Sequence, residues 1–207
     1  MYLEKPLSVT ISMAVLLLLL AVSSAVGNGF VLAILARFKK LRNYANTLIA
    51  NLALVDHLNS LINLPFYLLY GVLKVSWFKG KTLAFLSSFF NRLFILLNLA
   101  SMLMLLVNVF LALTFDLRYF TWKTNEKAMA IVLVEWLVCL AVVTLSCLPL
   151  FEIDLQNADV LTYRQVIFEK NKTVVASSMT LFILCAIVLG TLVLCSVRTK
   201  KLKVRYT

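Results

Sequence analysis

The chain has 207 residues, 62% of them apolar and 14% charged, and its mean hydropathy of +0.97 lies far above the range of soluble domains. It reads as a membrane protein: 5 Gly and 3 Pro leave no room for a low-complexity tail, and no separate soluble catalytic domain fits. A net charge of +11, from 20 Lys and Arg against 9 Asp and Glu, would suggest nucleic acid in a soluble chain, but here the charges sit between apolar runs. No nucleic-acid partner is therefore expected.

Uncharged runs of about 20 residues fall near 9–36, 45–73, 83–114, 128–150 and 174–197, the third broken only by Arg92. The expected fold is all-α, a polytopic bundle of five membrane helices forming a single transmembrane domain over 1–207. At the first run, Lys5 precedes a Leu-rich stretch and Ala21-Val22-Ser23-Ser24-Ala25 offers small residues for cleavage, as in a signal peptide. The apolar run continues through Leu35, beyond the roughly 7–15 residues of a signal core. It is read as an anchored helix.

Lys and Arg in the short connections orient the bundle. One side carries twelve: Arg37, Lys39, Lys40 and Arg42, then Arg118, Lys123 and Lys127, then Arg198, Lys200, Lys201, Lys203 and Arg205. The other carries seven: Lys5, then Lys74, Lys79 and Lys81, then Arg164, Lys170 and Lys172. The richer side is expected to be cytoplasmic, which puts the N-terminus outside a plasma membrane and the 151–173 connection outside with it. That connection holds Asn171-Lys172-Thr173, the chain's one N-glycosylation triplet, so a second signal agrees with the first. The basic cytoplasmic segments, among them Arg118, Tyr119 and the 198–205 run, would meet membrane lipid or a cytoplasmic partner, lipid being the simpler reading.

Cys139, Cys147, Cys185 and Cys195 all fall in the fourth and fifth runs, so no disulfide framework is expected. Cys195, beside the basic end, stands open to palmitoylation. With no CxxC and one histidine, there is no metal-ligand spacing and no cofactor is expected.

Ionisable and amide groups inside the apolar runs are the default site residues. Asp56 lies mid-way along the second run among Leu52, Ala53, Leu54 and Val55 and needs a proton, a cation such as Na+, or hydrogen-bond donors. Asn28 in the first run and Asn98 in the third are available donors, so an interior cluster of Asn28, Asp56 and Asn98 is expected. Interhelical hydrogen bonding alone, worth about 1 kcal/mol per contact, outweighs ion binding there. His57 points about 100° away from its neighbour Asp56 on a helix and reads as a packing residue. Glu135 and Arg92 lie near opposite faces of the membrane and are not expected to pair. Arg92 is read as snorkelling outward, and Asn91 as lining an outward-facing pocket.

The ordered motifs resemble those of rhodopsin-like (class A) G-protein-coupled receptors over nearly the whole chain. Gly27-Asn28-Gly29-Phe30-Val31 is similar to that family's Gly-Asn-x-x-Val, and Asn51-Leu52-Ala53-Leu54-Val55-Asp56 to its Asn-Leu-Ala-x-x-Asp. The basic segment Lys40-Leu41-Arg42-Asn43, Leu64-Pro65-Phe66, Trp77 with Gly80, and Trp136 followed by Leu148-Pro149 resemble its first inner loop, second helix, first outer loop and fourth helix. The resemblance implies a receptor taking part in transmembrane signal transduction, with Asn91 and Trp77 in the ligand pocket and Asn108, Val109, Arg118 and Tyr119 toward a G protein.

The departures are specific. Counting back from Asp116-Leu117-Arg118-Tyr119, read as an inner-loop segment, puts Asn108-Val109-Phe110 where the family has Asp-Arg-Tyr. Val109 thus stands at the arginine position. The family's outer cysteine is replaced by Ala84, the fifth run has no proline, and Asn91 stands where amine receptors carry a carboxylate. The sequence ends at Thr207, before the family's sixth and seventh helices, so the expectation is a divergent, truncated receptor with impaired coupling. The alternatives are a non-signalling receptor fragment that pairs with and regulates a full-length receptor, and, from another class, a channel or transporter accessory subunit. The last would need more intramembrane charge than Asp56, Glu135 and Arg92 provide. No nucleophile with a base and no paired carboxylates appear, so an enzyme is not expected.

Overall fold

The computed structural model describes residues 7–69 and 81–147, together with Ile183, Ile187, Gly190, Thr191, Val193, Leu194 and Val197; side chains at 81, 82, 84 and 113–122 are outside the description. Trp77, Asn171, the 151–173 connection, Leu148-Pro149, the 198–205 run and most of the 174–197 span lie outside the described residues. Every described element is helical.

Helix α1 spans Leu7–Arg37 and is apolar all round, with no buried residue, as a lipid-facing helix should be. A 3-10 turn, Lys39–Leu41, leads to α2, Tyr44–Leu58, whose first turn is capped by Asn43: its side chain accepts the Asn46 backbone N–H at 3.0 Å. Helical backbone then continues through a π turn, Asn59–Asn63, and a final segment, Leu64–Tyr67. Pro65 explains the wide turn. Its ring would clash with the carbonyl four residues back and it has no N–H to give, and a π turn relieves both.

Helix α3 runs from Lys81 to Trp122, two turns beyond the apolar run that ends at 114, so the backbone of Asp116-Leu117-Arg118-Tyr119 is helical and not a loop. No Pro or Gly lies between Lys81 and Trp122 to stop it. Charge marks where the membrane ends, which is not where the helix ends. Helix α4 is Asn125–Cys147, opened by Thr124, whose Oγ1 accepts the Lys127 N–H at 3.4 Å. Among the described residues three stretches, Leu7–Arg37, Phe85–Ala112 and Asn125–Cys147, are long and apolar enough to cross a membrane.

Cross-helix hydrogen bonds fix the register. As numbers rise on α2 they fall on α3, with Asn51 joined to Ser101, Asp56 to Asn98 and Asn63 to Asn91. The two helices are antiparallel. On α4 numbers rise with α2, from Thr47 with Asn125 to Asn51 with Glu135, so α2 and α4 run parallel. Val55, Leu93, Phe94, Leu97, Cys139, Val143 and Cys147 form the core between α2, α3 and α4. A smaller cluster, Tyr44, Leu48 and Ala128, closes the end at which α2 and α4 begin. Lys123 stands over the Tyr44 ring there, 4.0 Å from its centroid.

Helix α1 packs on α2. The imidazole of His57 donates from Nδ1 to the Ala25 carbonyl at 2.9 Å. A Cβ on Gly29 would lie 3.1 Å from His57 Cε1, so the missing side chain is what lets the ring seat.

Candidate functional site

Polar side chains stack in three tiers along the inner side of α2. The first tier joins three helices. Asn51 Nδ2 donates to Ser101 Oγ and to Glu135 Oε2, each at 2.8 Å. Ser101 Oγ donates to Glu135 Oε1 at 2.7 Å, and Trp136 Nε1 donates to Asn51 Oδ1 at 2.9 Å. Asn51, Ser101 and Glu135 are 4%, 1% and 8% exposed. Burial without partners would cost each of them heavily. Here both carboxylate oxygens and both ends of the carboxamide are engaged.

The second tier is Asp56, whose Oδ1 accepts from Asn98 Nδ2. Among the described residues Asn98 is the one side-chain donor to this carboxylate. Asp56 and Asn98 are thus the groups that would meet a monovalent cation; no group of three or more His, Cys, Asp or Glu comes together among the described residues to hold a metal ion. Asn28 does not join them. Its Nδ2 donates to Ser24 O at 3.0 Å and to Ser24 Oγ at 3.2 Å, inside its own helix, because a carboxamide one turn past a serine finds both acceptors locally.

The third tier rests on the π turn, which brings Asn59 and Asn63 onto one side. Asn63 Nδ2 donates to Asn59 Oδ1 at 3.0 Å and to Asn91 Oδ1 at 3.2 Å. An open cleft of about 220 Å³ lies against this tier, lined by Asn59, Asn63, Phe94, Ile95, Asn98 and Leu99. Asn91 supports Asn63 from behind and is not itself among the lining residues. The lining carries amides and apolar groups but no formal charge.

The remaining sequence-selected residues are dispersed. Asn108 is 6% exposed and Val109 is 45% exposed on α3, so the asparagine turns into the bundle and the valine out of it. Arg118 and Tyr119 lie on the last turns of α3 by backbone alone. Arg92 reaches toward the end of α4, its Nη1 3.5 Å from Ser146 O and 4.0 Å from Cys147 Sγ, well away from Glu135.

The first tier was missed from sequence. Its signal was present: with Asp56 opposite Asn98 on antiparallel helices, stepping back from Asp56 to Asn51 and forward from Asn98 to Ser101 brings two polar side chains together. Glu135, beside Trp136, then supplies the fourth-helix partner.

Residues 27–203 match the family described as 7 transmembrane receptor (rhodopsin family). Prokineticin receptor 2 of Rattus norvegicus is 32% identical over 118 residues, 56% of this chain and 30% of that receptor. Prokineticin receptor 1 of Bos taurus is 31% identical over 118 residues, again 56% and 30%. Trace amine-associated receptor 13c of Danio rerio is 29% identical over 113 residues, 55% of this chain and 33% of that receptor. The alignments thus span about a third of the length of these curated relatives.

Proposed function

Since the chain belongs to the rhodopsin family of seven-transmembrane receptors, a family of receptors and not of enzymes, we propose that it is a plasma-membrane receptor taking part in transmembrane signal transduction. In this reading the sequence contributes five spans, near 9–36, 45–73, 83–114, 128–150 and 174–197, with the N-terminus and a glycan on Asn171 outside. The side bearing Arg37, Lys39, Lys40 and Arg42 faces the cytoplasm.

The observation that carries the reading is the third tier: a cleft walled by Asn59 and Asn63 on one side and by Phe94 and Ile95 on the other. Amides both donate and accept, and the rest of the lining is apolar and uncharged, so this open cleft suits a neutral ligand with hydrogen-bonding groups. Asn91 provides no counter-ion for an amine. At the other end of α3, Val109 has no guanidinium to offer a G protein, so coupling is weak compared with that of receptors carrying arginine there.

Two measurements on cells expressing the chain test the proposal. An N-terminal epitope should be stained on intact cells and a C-terminal one only after permeabilisation, and membranes should accelerate nucleotide exchange on a co-expressed G protein above empty-vector membranes. Reversed staining refutes the orientation. Surface staining that requires a second, co-expressed receptor replaces signalling by the regulatory-partner reading.

A further inference from the structure

We propose that Ser88 and Arg92 on α3 form a binding site for the carboxylate of an organic acid. Arg92 interrupts the apolar stretch of α3, nearer its Lys81 end, and a charge at that depth is costly without a partner. Its guanidinium carries five N–H donors, yet its contacts are poor. Nη1 lies 3.5 Å from Ser146 O and 4.0 Å from Cys147 Sγ, against about 2.7–3.2 Å for a good N–H···O bond. Among the described residues Nη2 and Nε have no acceptor and no carboxylate faces them. Glu135 is taken by Asn51 and Ser101, and Asp56 by Asn98, while Glu126 stands in the first turn of α4, at the other end of that helix from Ser146 and Cys147.

Ser88 is the second observation. It is 8% exposed, and its hydroxyl has no hydrogen-bond partner among the described residues, not even the carbonyl one turn back that a helical serine often takes. A buried polar group left so marks the place of a bound group or water. Ser88 and Arg92 are four residues apart on one helix and share a face. Helical side chains lean toward the N-terminus of their helix, so Arg92 extends over the turn that carries Ser88. A hydroxyl and a guanidinium, both short of acceptors, thus adjoin where charges interact far more strongly than in water.

The chemistry selects a carboxylate. The planar guanidinium fork matches its two oxygens, the serine hydroxyl adds a further hydrogen bond, and one guanidinium balances one unit charge, which a doubly charged phosphate exceeds. Neither residue lines the cleft of the third tier, so the site is separate from the neutral one and does not rest on it.

The test is equilibrium dialysis of the full chain in a non-ionic detergent against radiolabelled benzoate, with benzamide as the uncharged counterpart of similar shape. The wild type is expected to bind benzoate saturably and about tenfold or more tightly than benzamide. R92Q should abolish that preference. R92K, which keeps the charge but not the fork, should cut it about threefold or more, and S88A should weaken benzoate by a similar factor while leaving benzamide unchanged. K81Q, which removes a positive charge at the same end of α3, should leave the preference intact. A melting curve in detergent checks that each variant is folded; R92K and S88A decide the matter if R92Q does not fold. Equal binding of benzoate and benzamide by the wild type, or a preference that survives R92Q, would overturn the proposal. So would a preference that emerges only in E152Q/D154N/D159N/E169Q, since an acid of the chain itself would then be the partner of Arg92.

Discussion

Asn51 donates its amide to the Glu135 carboxylate at 2.8 Å, joining α2 to α4 through the buried centre of the bundle. The same amide reaches Ser101 on α3, so one carboxamide ties three helices. A lipid-embedded bundle gains little from apolar burial between helices, and such polar contacts set which faces meet.

Glu135→Ala should therefore destabilise the bundle by about 1–3 kcal/mol, because Ser101 and Asn51 lose their acceptor. Glu135→Gln keeps the shape and one acceptor and should cost less. Combining Glu135→Ala with Ser101→Ala should cost less than the sum of the two, by about 0.5 kcal/mol or more. Unfolding in detergent micelles measures all four.

Asp56 and Asn98 should couple by about 0.6–1 kcal/mol in a double-mutant cycle with alanine. Exchanging Na+ for a bulky organic cation at fixed ionic strength should leave that stability unchanged, since Asn98 already serves the carboxylate. A Na+-dependent shift that Asp56→Asn abolishes would assign a cation to the site instead.

Gly29→Ala should loosen α1 from α2 by about 1–2 kcal/mol, since the added Cβ lies 3.1 Å from the His57 ring. His57→Ala in the same chain should remove most of that clash. Gly27→Ala, with nothing within 4 Å of its Cβ, should be close to neutral. Thermal unfolding of the single and double variants separates the cases.

The cleft should discriminate against cations. Small amines should bind the wild type weakly, and Asn91→Asp, which places a carboxylate behind Asn63, should raise their affinity by about tenfold or more. Competition binding with a radiolabelled amine reads this directly.

Much of the helical layout was legible from the apolar runs, since a span needs only length and hydropathy. Other features lay in geometry that a run of letters leaves open. The continuation of α3 to Trp122 was hidden because charge at Asp116 and Arg118 ends the membrane but not the helix. Pro65 was visible, yet its consequence, a π turn that aligns Asn59 with Asn63, depends on how the backbone relieves the clash. Asp56 and Asn98 were legible as polar residues at mid-depth. Asn28 was misplaced because Ser24, one turn before it, competes for its amide. Glu135 was seen but left without partners, because depth in the membrane can be counted from sequence whereas direction around a helix needs the neighbouring helices.

The receptor reading is tested most directly by nucleotide exchange on a G protein in membranes containing the wild type or Val109→Arg at equal surface density. Val109 is exposed on α3, so arginine fits there without repacking the core. The expected result is low exchange above empty-vector membranes for the wild type and a several-fold rise for Val109→Arg. Exchange at the empty-vector level in both would contradict transmembrane signalling by this chain.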